Sequence, residues 1–368
     1  MLNAMEGKKF SWLHLSDQHI GMSGSKIYWP QVREAFFDDL RQHLNNGNNI
    51  DLVVFSGDLV QQGLQEEFEL ALVEIKKLFS VLEENNCRPA FFIVPGNHDL
   101  IRVDETTGLP FAIAEAGKRL EKFKASVLPK GSNHSQIVAI FKNYTKFINS
   151  LKQEGIQLVG ETSGVFPGDS SGRLEINGLK IGIVGLNTAW SQVCGGEYKE
   201  RIEVFADQFL QLVDHDPSGW LGENNLNFLI THHPVSWLSK LSEKEFNTEI
   251  FLAKYFDLHL YGHMHEIEAI AEDHGDGHIK RTIQGASLFG MERDPKEGVK
   301  RHHGYLYGMV SDESEQLTLW PRQIEKTTSY GWKVSVDSQR VPSAGDKVSY
   351  PITMRVERGT QKKRPLMI

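Results

Sequence analysis

The chain has few cysteines, and this scarcity excludes several classes of protein. Only Cys87 and Cys194 occur among its 368 residues, and they do not form a CxxC pair. Two cysteines cannot build the disulfide framework of a small secreted domain. We therefore expect two reduced thiols in a cytoplasmic protein.

Long apolar runs and an excess of basic residues are lacking as well. No stretch of 18 apolar residues occurs, and the first ten residues contain no apolar run of signal-peptide length. The sequence therefore predicts a soluble protein without a membrane-spanning helix. The net charge is −8 and the pI is about 6.0, which gives no support to a broad basic surface for nucleic acid.

Three familiar functional motifs are absent too. The chain contains no P-loop, no GxGxxG after a strand and no HExxH. What is present is an ordinary globular composition, with 40% hydrophobic and 24% charged residues. The length predicts one large domain with additions, or two domains.

The first hundred residues repeat a simple rhythm of apolar runs and polar clusters. Runs of strand length at 10–15, 52–55 and 90–94 alternate with two amphipathic helical patterns. This order predicts βαβ units with a largely buried sheet, in which ligands bind beyond the carboxyl ends of the strands. Polar clusters follow the runs at those ends: Asp17-x-His19, Gly57-Asp58 and Gly96-Asn97-His98-Asp99.

The second half of the chain repeats the pattern. Residues 171–176 and 179–186 flank Asn177-Gly178, a strong hairpin signal. Apolar runs at 226–230 and 258–261 end in Thr231-His232-His233 and in Gly262-His263-x-His265. We expect residues two apart at a strand end, such as His263 and His265, to point to one face.

The side chains at these strand ends offer oxygen and imidazole nitrogen donors, and no thiolate. Such a set suits Mn, Fe, Zn, Co or Ni ions. Seven ligands are too many for one tetrahedral ion and suit two ions with open positions. The predicted ligands are Asp17, His19, Asp58, Asn97, His232, His263 and His265.

The ordered set DxH, GD, GNHD, H and GHxH resembles the calcineurin-like metallophosphoesterase superfamily over roughly residues 10–320. The resemblance implies a hydrolase with an α/β, four-layer αββα fold, in which helices flank a two-sheet β-sandwich. It also implies how two divalent ions, most readily Mn, are held. Asp17, His19, Asp58 and His265 would hold one ion. Asp58, Asn97, His232 and His263 would hold the other.

The resemblance further implies the catalytic groups. A hydroxide bridging the two ions would attack phosphorus, and His98 would stabilise the phosphate and protonate the leaving oxygen. Asp99 would orient His98. Asn97, His98 and Arg102 would contact the substrate.

Some positions keep two interpretations. Arg102 is predicted either to reach a substrate phosphate or to form a surface ion pair. His232 fits the lone histidine of the family pattern better than His233, which stays an alternative. His302 and His303 are expected on the surface rather than near the substrate.

The predicted domains are a catalytic domain at 1–320, with a helical insert at about 100–165, and a C-terminal β and tail extension at 321–368. The insert is either a lid over the site or helices that only pack on the sheet. The basic end of the tail is a solvated end, the start of a longer chain or a small nucleic-acid contact. A partner protein or a second copy could bind through the insert or the tail.

Fold alone does not choose the substrate. The complete GNHD and GHxH motifs resemble class III cyclic-nucleotide phosphodiesterases and related small-diester hydrolases, which is the first hypothesis. A metal-dependent DNA or RNA nuclease is the second. A phosphomonoesterase, or a nucleotide-binding sensor without turnover, are the others.

Overall fold

A computed structural model describes most of the chain. The described residues are 7–115, 120–265, 267–273, 279–290, 292–294, 298–300, 303–327, 331–341 and 345–355.

The strands of the described residues are numbered in chain order. The first eight are β1 (Lys9–Leu15), β2 (Leu52–Phe55), β3 (Ala90–Ile93), β4 (Thr162–Ser163), β5 (Ser170–Ile176), β6 (Leu179–Gly185), β7 (Leu226–Ile230) and β8 (Leu258–Tyr261). The others are β9 (Glu268–Asp273), β10 (Ile279–Gln284), β11 (Glu292–Asp294), β12 (Gly298–Lys300), β13 (Gly304–Ser311), β14 (Gln316–Thr327), β15 (Gly331–Val336) and β16 (Val348–Pro351).

The helices of the described residues are α1 (Ser25–Asn45), α2 (Gln65–Glu84), α3 (Gly108–Ala114), α4 (Leu120–Val127), α5 (His134–Ile140), α6 (Lys142–Gln153), α7 (Ala206–Leu212), α8 (Pro217–Gly222) and α9 (Lys240–Glu245). A 3-10 turn at Val235–Trp237 and a π turn at Phe246–Ile250 lie on either side of α9. None of these helices is long and apolar enough to span a membrane. The cytoplasmic location stays a prediction.

Two large mixed sheets form the centre of the molecule. The first has the order β15-β14-β13-β1-β2-β3, with β16 also paired to β14. Within it β1, β2 and β3 run parallel and β13 runs antiparallel to β1. The second has the order β4-β5-β6-β7-β8-β10-β9, with β6, β7, β8 and β10 parallel.

Alternating side chains of the strands fill different cores. Phe10 and Trp12 of β1 face the second sheet, where both rings contact Phe228 of β7 edge-on, at 5.6 and 5.1 Å between centroids. Leu13 and Leu15 join the core under α1 and α2. A third core lies between the second sheet and α7, α8 and the π turn. The period of two thus gives both sheets two buried faces, and the four layers confirm the predicted αββα fold.

The insert predicted at about 100–165 is helical in its described residues. α3 ends at Ala114 and α4 starts at Leu120, with 116–119 outside the described residues. α5 and α6 meet at Phe141, which is fully buried in the core that α1 and α2 also join.

The C-terminal region continues the first sheet. β14 crosses residue 320, pairs with β13 through Gly304 and Gln323, and carries buried Ile324 beyond that point. β15 and β16 both pair with β14. The proposed division at 320 therefore falls within a strand, and the division into domains stays a prediction. The basic end of the tail at 356–368 lies outside the described residues.

Candidate metal centre

The predicted ligands sit where strands end, but not in extended backbone. Asp17, His19, Asp58, His263 and His265 all have φ between +49° and +73°. Such left-handed conformations cost of order 1–3 kcal/mol each outside glycine and cluster at functional sites. Hydrogen bonds between the loops hold them, from Asp17 N to Gly57 O (2.9 Å) and from His19 N to Asp58 O (3.1 Å).

This geometry corrects the reason given for the DxH and HxH spacing. β1 ends at Leu15 and β8 at Tyr261, so neither pair belongs to its strand. The two side chains of each pair converge because the backbone curls back, not because alternate strand positions share a face.

One cluster joins Asp17, His19 and His265. Asp17 Oδ1 lies 3.4 Å from His265 Nε2 and 3.8 Å from His19 Nε2, and the two imidazole nitrogens are 3.4 Å apart. Asp17 is fully buried, His19 is nearly so, and the His265 side chain is 18% exposed. Three potential donor atoms thus face one small volume.

A second cluster joins His232, Asn97, Asp58 and His263. His232 Nε2 lies 3.2 Å from Asn97 Oδ1, 3.3 Å from Asp58 Oδ2 and 3.3 Å from His263 Nδ1. Ligand atoms of Asp58 also lie within 4.8 Å of those of Asp17 and His232, and of those of His19 and His98. Asp58 is therefore positioned between the clusters.

The rings of His232 and His233 have different surroundings. His232 Nδ1 donates to Ser56 O at 2.8 Å, so its Nε2 atom faces the cluster. His233 uses both ring nitrogens elsewhere, with Nδ1 2.9 Å from Thr188 Oγ1 and Nε2 2.8 Å from Gln192 Oε1. Although His233 lies near enough to count as a third histidine beside His232 and His263, its lone pair is already bound.

One further observation indicates that these donor atoms suit a cation. Asp17 Oδ2 accepts from Ser16 Oγ at 2.5 Å and from His263 N at 3.1 Å. Buried Oδ1 accepts no well-formed hydrogen bond from any described residue. A buried carboxylate oxygen without a donor is costly, and a cation shared with the nearby imidazoles would satisfy it.

The pKa values of the site follow from burial and neighbouring charge. Burial lowers the pKa of His19 to about 4 and, with help from His232, that of His263 to about 3. Both rings are therefore neutral at pH 7, as a metal ligand must be. His232 differs: burial opposes its charge, but Asp58 raises its pKa to about 9. Against the cost of burial, the surrounding histidines hold the pKa of Asp17 and Asp58 below the ordinary value.

His98 and Asp99 lie together but do not form the expected pair. His98 Nδ1 donates to Gln61 O at 2.7 Å, and its backbone N donates to Asp58 Oδ1 at 2.7 Å. The Asp99 carboxylate instead accepts from Val60 N (3.0 Å) and Gly96 N (2.8 Å). Because Asp99 is fully buried beneath this turn, it closes the turn, and Gln61 O orients the His98 ring.

Burial and the charge of Asp58 raise the pKa of Asp99 to about 7. Arg102 is exposed, and no carboxylate of the described residues forms an ion pair with it.

Sequence reasoning missed the groups that support the ligands. Ser16 and Ser56 directly precede polar clusters, but the sequence does not show that a hydroxyl or a carbonyl will meet a ligand side chain. His303 was expected on the surface and is buried, stacked on Phe289 at 5.0 Å. Its burial depends on long-range packing, for which no local signal exists. His302 lies outside the described residues.

Comparison with known proteins gives one family. The family model described as calcineurin-like phosphoesterase matches residues 10–266. A probable glycerophosphodiester phosphodiesterase, GpdQ, from Arcobacter nitrofigilis is 34% identical over 89 residues. That match covers 24% of this chain and 29% of the relative, so the chain matches less than a third of the relative's length.

Two solved structures resemble the fold at low similarity. The NAD nucleotidase of Haemophilus influenzae has a TM-score of 0.42 and 13% identity, covering 95% of this chain and 51% of that chain. A purple acid phosphatase from yellow lupin (Lupinus luteus) seeds has a TM-score of 0.48 and 12% identity, covering 95% and 55%. The chain thus spans about half the length of each, and TM-scores below 0.5 are too low to bear on function.

Proposed function

This chain belongs to the calcineurin-like phosphoesterase family, and from that premise we propose that it is a dinuclear metal-dependent phosphodiesterase. Its substrate would be a small phosphodiester such as a cyclic nucleotide. The observation that carries the proposal is the convergence of oxygen and nitrogen donors in two adjoining clusters, with Asp58 positioned between them.

The two clusters would hold one divalent ion each, with Asp58 shared. Mn fits the oxygen and imidazole donors, and Fe, Zn, Co or Ni would fit them too. When bound, two such ions supply a water of lowered pKa as the nucleophile and neutralise charge on the phosphoryl oxygens.

The residues around the ions would position and protonate the substrate. Because a carbonyl only accepts, Gln61 O fixes the proton of His98 on Nδ1. Nε2 of His98 is thereby left to hold a second proton and to give it to the leaving oxygen. Asp99 acts as a positioning residue, since it holds the turn that carries Asn97 and His98.

A diester is favoured over a monoester by the partial relative, whose name is that of a phosphodiesterase. That match covers under a third of the relative, and the test therefore compares a diester with a monoester.

The test is hydrolysis of bis(p-nitrophenyl) phosphate by metal-stripped protein with Mn added back, beside p-nitrophenyl phosphate. We expect Mn-dependent cleavage of the diester that is lost in Asp58→Asn and His98→Ala. Cyclic nucleotides and single-stranded DNA would then separate a small-diester enzyme from a nuclease. Cleavage of the monoester alone would show a phosphomonoesterase, and no cleavage with metal bound would favour a binding role.

A further inference from the structure

A second pocket adjoins the metal centre at His265. It encloses about 290 Å³, and all of its lining residues except His265 lie beyond residue 266. The family model ends at that residue. Apart from His265, the described residues that line the pocket thus follow the residues that supply the metal ligands.

The wall of the pocket is fixed to the metal-ligand loop. Ala286 lines the pocket, and the residues after it bind the backbone of the DxH segment. Ser287 Oγ donates to Asp17 O at 2.8 Å, and Leu288 N donates to Ser16 O at 2.8 Å. Because one segment forms the wall and supports a ligand, the pocket has a set position relative to bound phosphate.

Arg322 enters this pocket from β14 in a held orientation. Its Nε lies 3.5 Å from Asp39 Oδ2 of α1, and its guanidinium lies 6.0 Å from the ring centre of Tyr307. Asp39 is itself held by the hydroxyls of Tyr305 and Tyr307, at 2.7 and 3.2 Å. The terminal Nη groups make no hydrogen bond to any described residue. The two terminal nitrogens of a rigid fork, with four N–H donors, thus remain for a ligand.

The other lining groups favour an anion of small size. Among the described lining residues, Arg322 and Arg340 carry the positive charges, and the carboxylate is that of Asp337, which already accepts from Gln339 N at 3.0 Å. Buried His303 lies beside them, stacked on Phe289. A volume of about 290 Å³ is near the lower end for ligand pockets, which suits one small group rather than a polymer strand.

We propose that this pocket binds one alcohol of the phosphodiester, and that Arg322 recognises a second oxyanion carried by that alcohol. The proposal rests on the proposed function and narrows its substrate to diesters of acidic alcohols, which excludes a cyclic nucleotide because its ribose carries no second oxyanion. It also assigns Asp39 as the residue that positions Arg322.

The test compares three p-nitrophenyl phosphodiesters, of glycolate, ethanol and choline, with the Mn-loaded enzyme. The glycolate diester should have the lowest KM and the choline diester the highest. Arg322→Gln should raise the KM for the glycolate diester roughly tenfold or more, since a hydrogen bond to a charged group is lost. The KM for the ethyl diester should change much less than that for the glycolate diester, and Arg322→Lys should be intermediate for the glycolate diester. Arg173→Gln, which alters an arginine outside the pocket, is the matched control.

Because replacing Arg322 could disturb folding, a second pair of variants changes Gln339 at the rim of the pocket instead. Gln339 is exposed. Gln339→Lys should lower the KM for the glycolate diester and Gln339→Glu should raise it, each by about two- to fivefold. Equal KM values for the three diesters, unchanged in these variants, would overturn the proposal while leaving the phosphodiesterase function intact.

If the metal-loaded wild type cleaves none of the diesters, the proposed phosphodiesterase function is wrong. Binding of the glycolate diester then tests whether the pocket recognises an oxyanion. Calorimetry showing weaker binding in Gln339→Glu than in the wild type would support it. Equal binding would overturn it.

Discussion

His232 and His233 are adjacent in the chain and equally buried, yet only His232 has a ring nitrogen aimed at other ligands. The ring of His233 is bound on both sides by Thr188 and Gln192. The sequence favoured His232 through its place in the motif but could not exclude His233, because the difference lies in tertiary hydrogen bonds.

The first prediction separates these roles with a matched pair of variants. His232→Gln should lose one metal ion and at least about a hundredfold in kcat, because an ion worth several kcal/mol is removed. His233→Gln should keep its metal and lower the free energy of unfolding by about 1–3 kcal/mol through lost buried hydrogen bonds. Metal analysis, kinetics and urea unfolding measure these effects. Metal loss in His233→Gln alone would reverse the assignment.

The second prediction concerns protons. In the protein without metal, Asp58 raises the pKa of His232 to about 9. At pH 7.5 the Nε2 atom of His232 therefore carries a proton. A metal ion needs that lone pair and must displace the proton, so the apparent affinity should rise with pH until about 9. Calorimetric titration with Mn in buffers of different ionisation enthalpy should show about one proton released. His232→Gln should abolish the release, and a heat independent of buffer in the wild type would refute this account.

The strands and helices of the first hundred residues could be predicted from the sequence because their apolar patterns are regular. β2 and β7 have the predicted bounds, and the Asn177-Gly178 turn joins β5 to β6 as expected. α8 and α9 were not predicted, and β15 and β16 were predicted only as an unspecified β extension at 321–368. These are short elements whose patterns are weak, and they form because a neighbour offers an edge or an apolar surface.

The turn after β2 shows how closely two loops approach. Gly57 has φ +100°, and a Cβ atom there would lie 2.5 Å from His232 Nδ1 and 2.8 Å from Gly96 N. We therefore predict that Gly57→Ala displaces His232, removes activity and destabilises the fold. Gly47→Ala is the matched control, because Gly47 also has positive φ but has no atoms within 4 Å of its Cβ position. That control should cost only about 1 kcal/mol of strain and keep its activity. Equal activity of both variants, measured with the diester, would show that the close approach is not needed.

At the scale of the whole molecule, the sheet extends past the boundary that the sequence suggested. β14 pairs with β13 over eight residue pairs, and its second half carries Arg322 and Ile324. The resemblance gave no information on this region, because the motifs that carry it end near His265.

We predict that a chain cut after residue 320 does not fold, since half of β14 and both of its further partners are removed. A chain cut after Arg355 keeps every strand described here and should retain its melting temperature and metal-dependent activity. Circular dichroism spectra and thermal unfolding compare the folding of the two shortened chains with that of the full chain. A folded, active protein ending at 320 would instead support a separate C-terminal extension.

The central claim is that two metal ions occupy the two clusters with Asp58 between them. The most direct measurement is the number of Mn ions bound per chain at saturation, determined by elemental analysis after gel filtration. The account predicts two ions in the wild type and in His233→Gln, and fewer in His232→Gln and Asp58→Asn. A wild type that binds one ion, or none, at saturating Mn would contradict it.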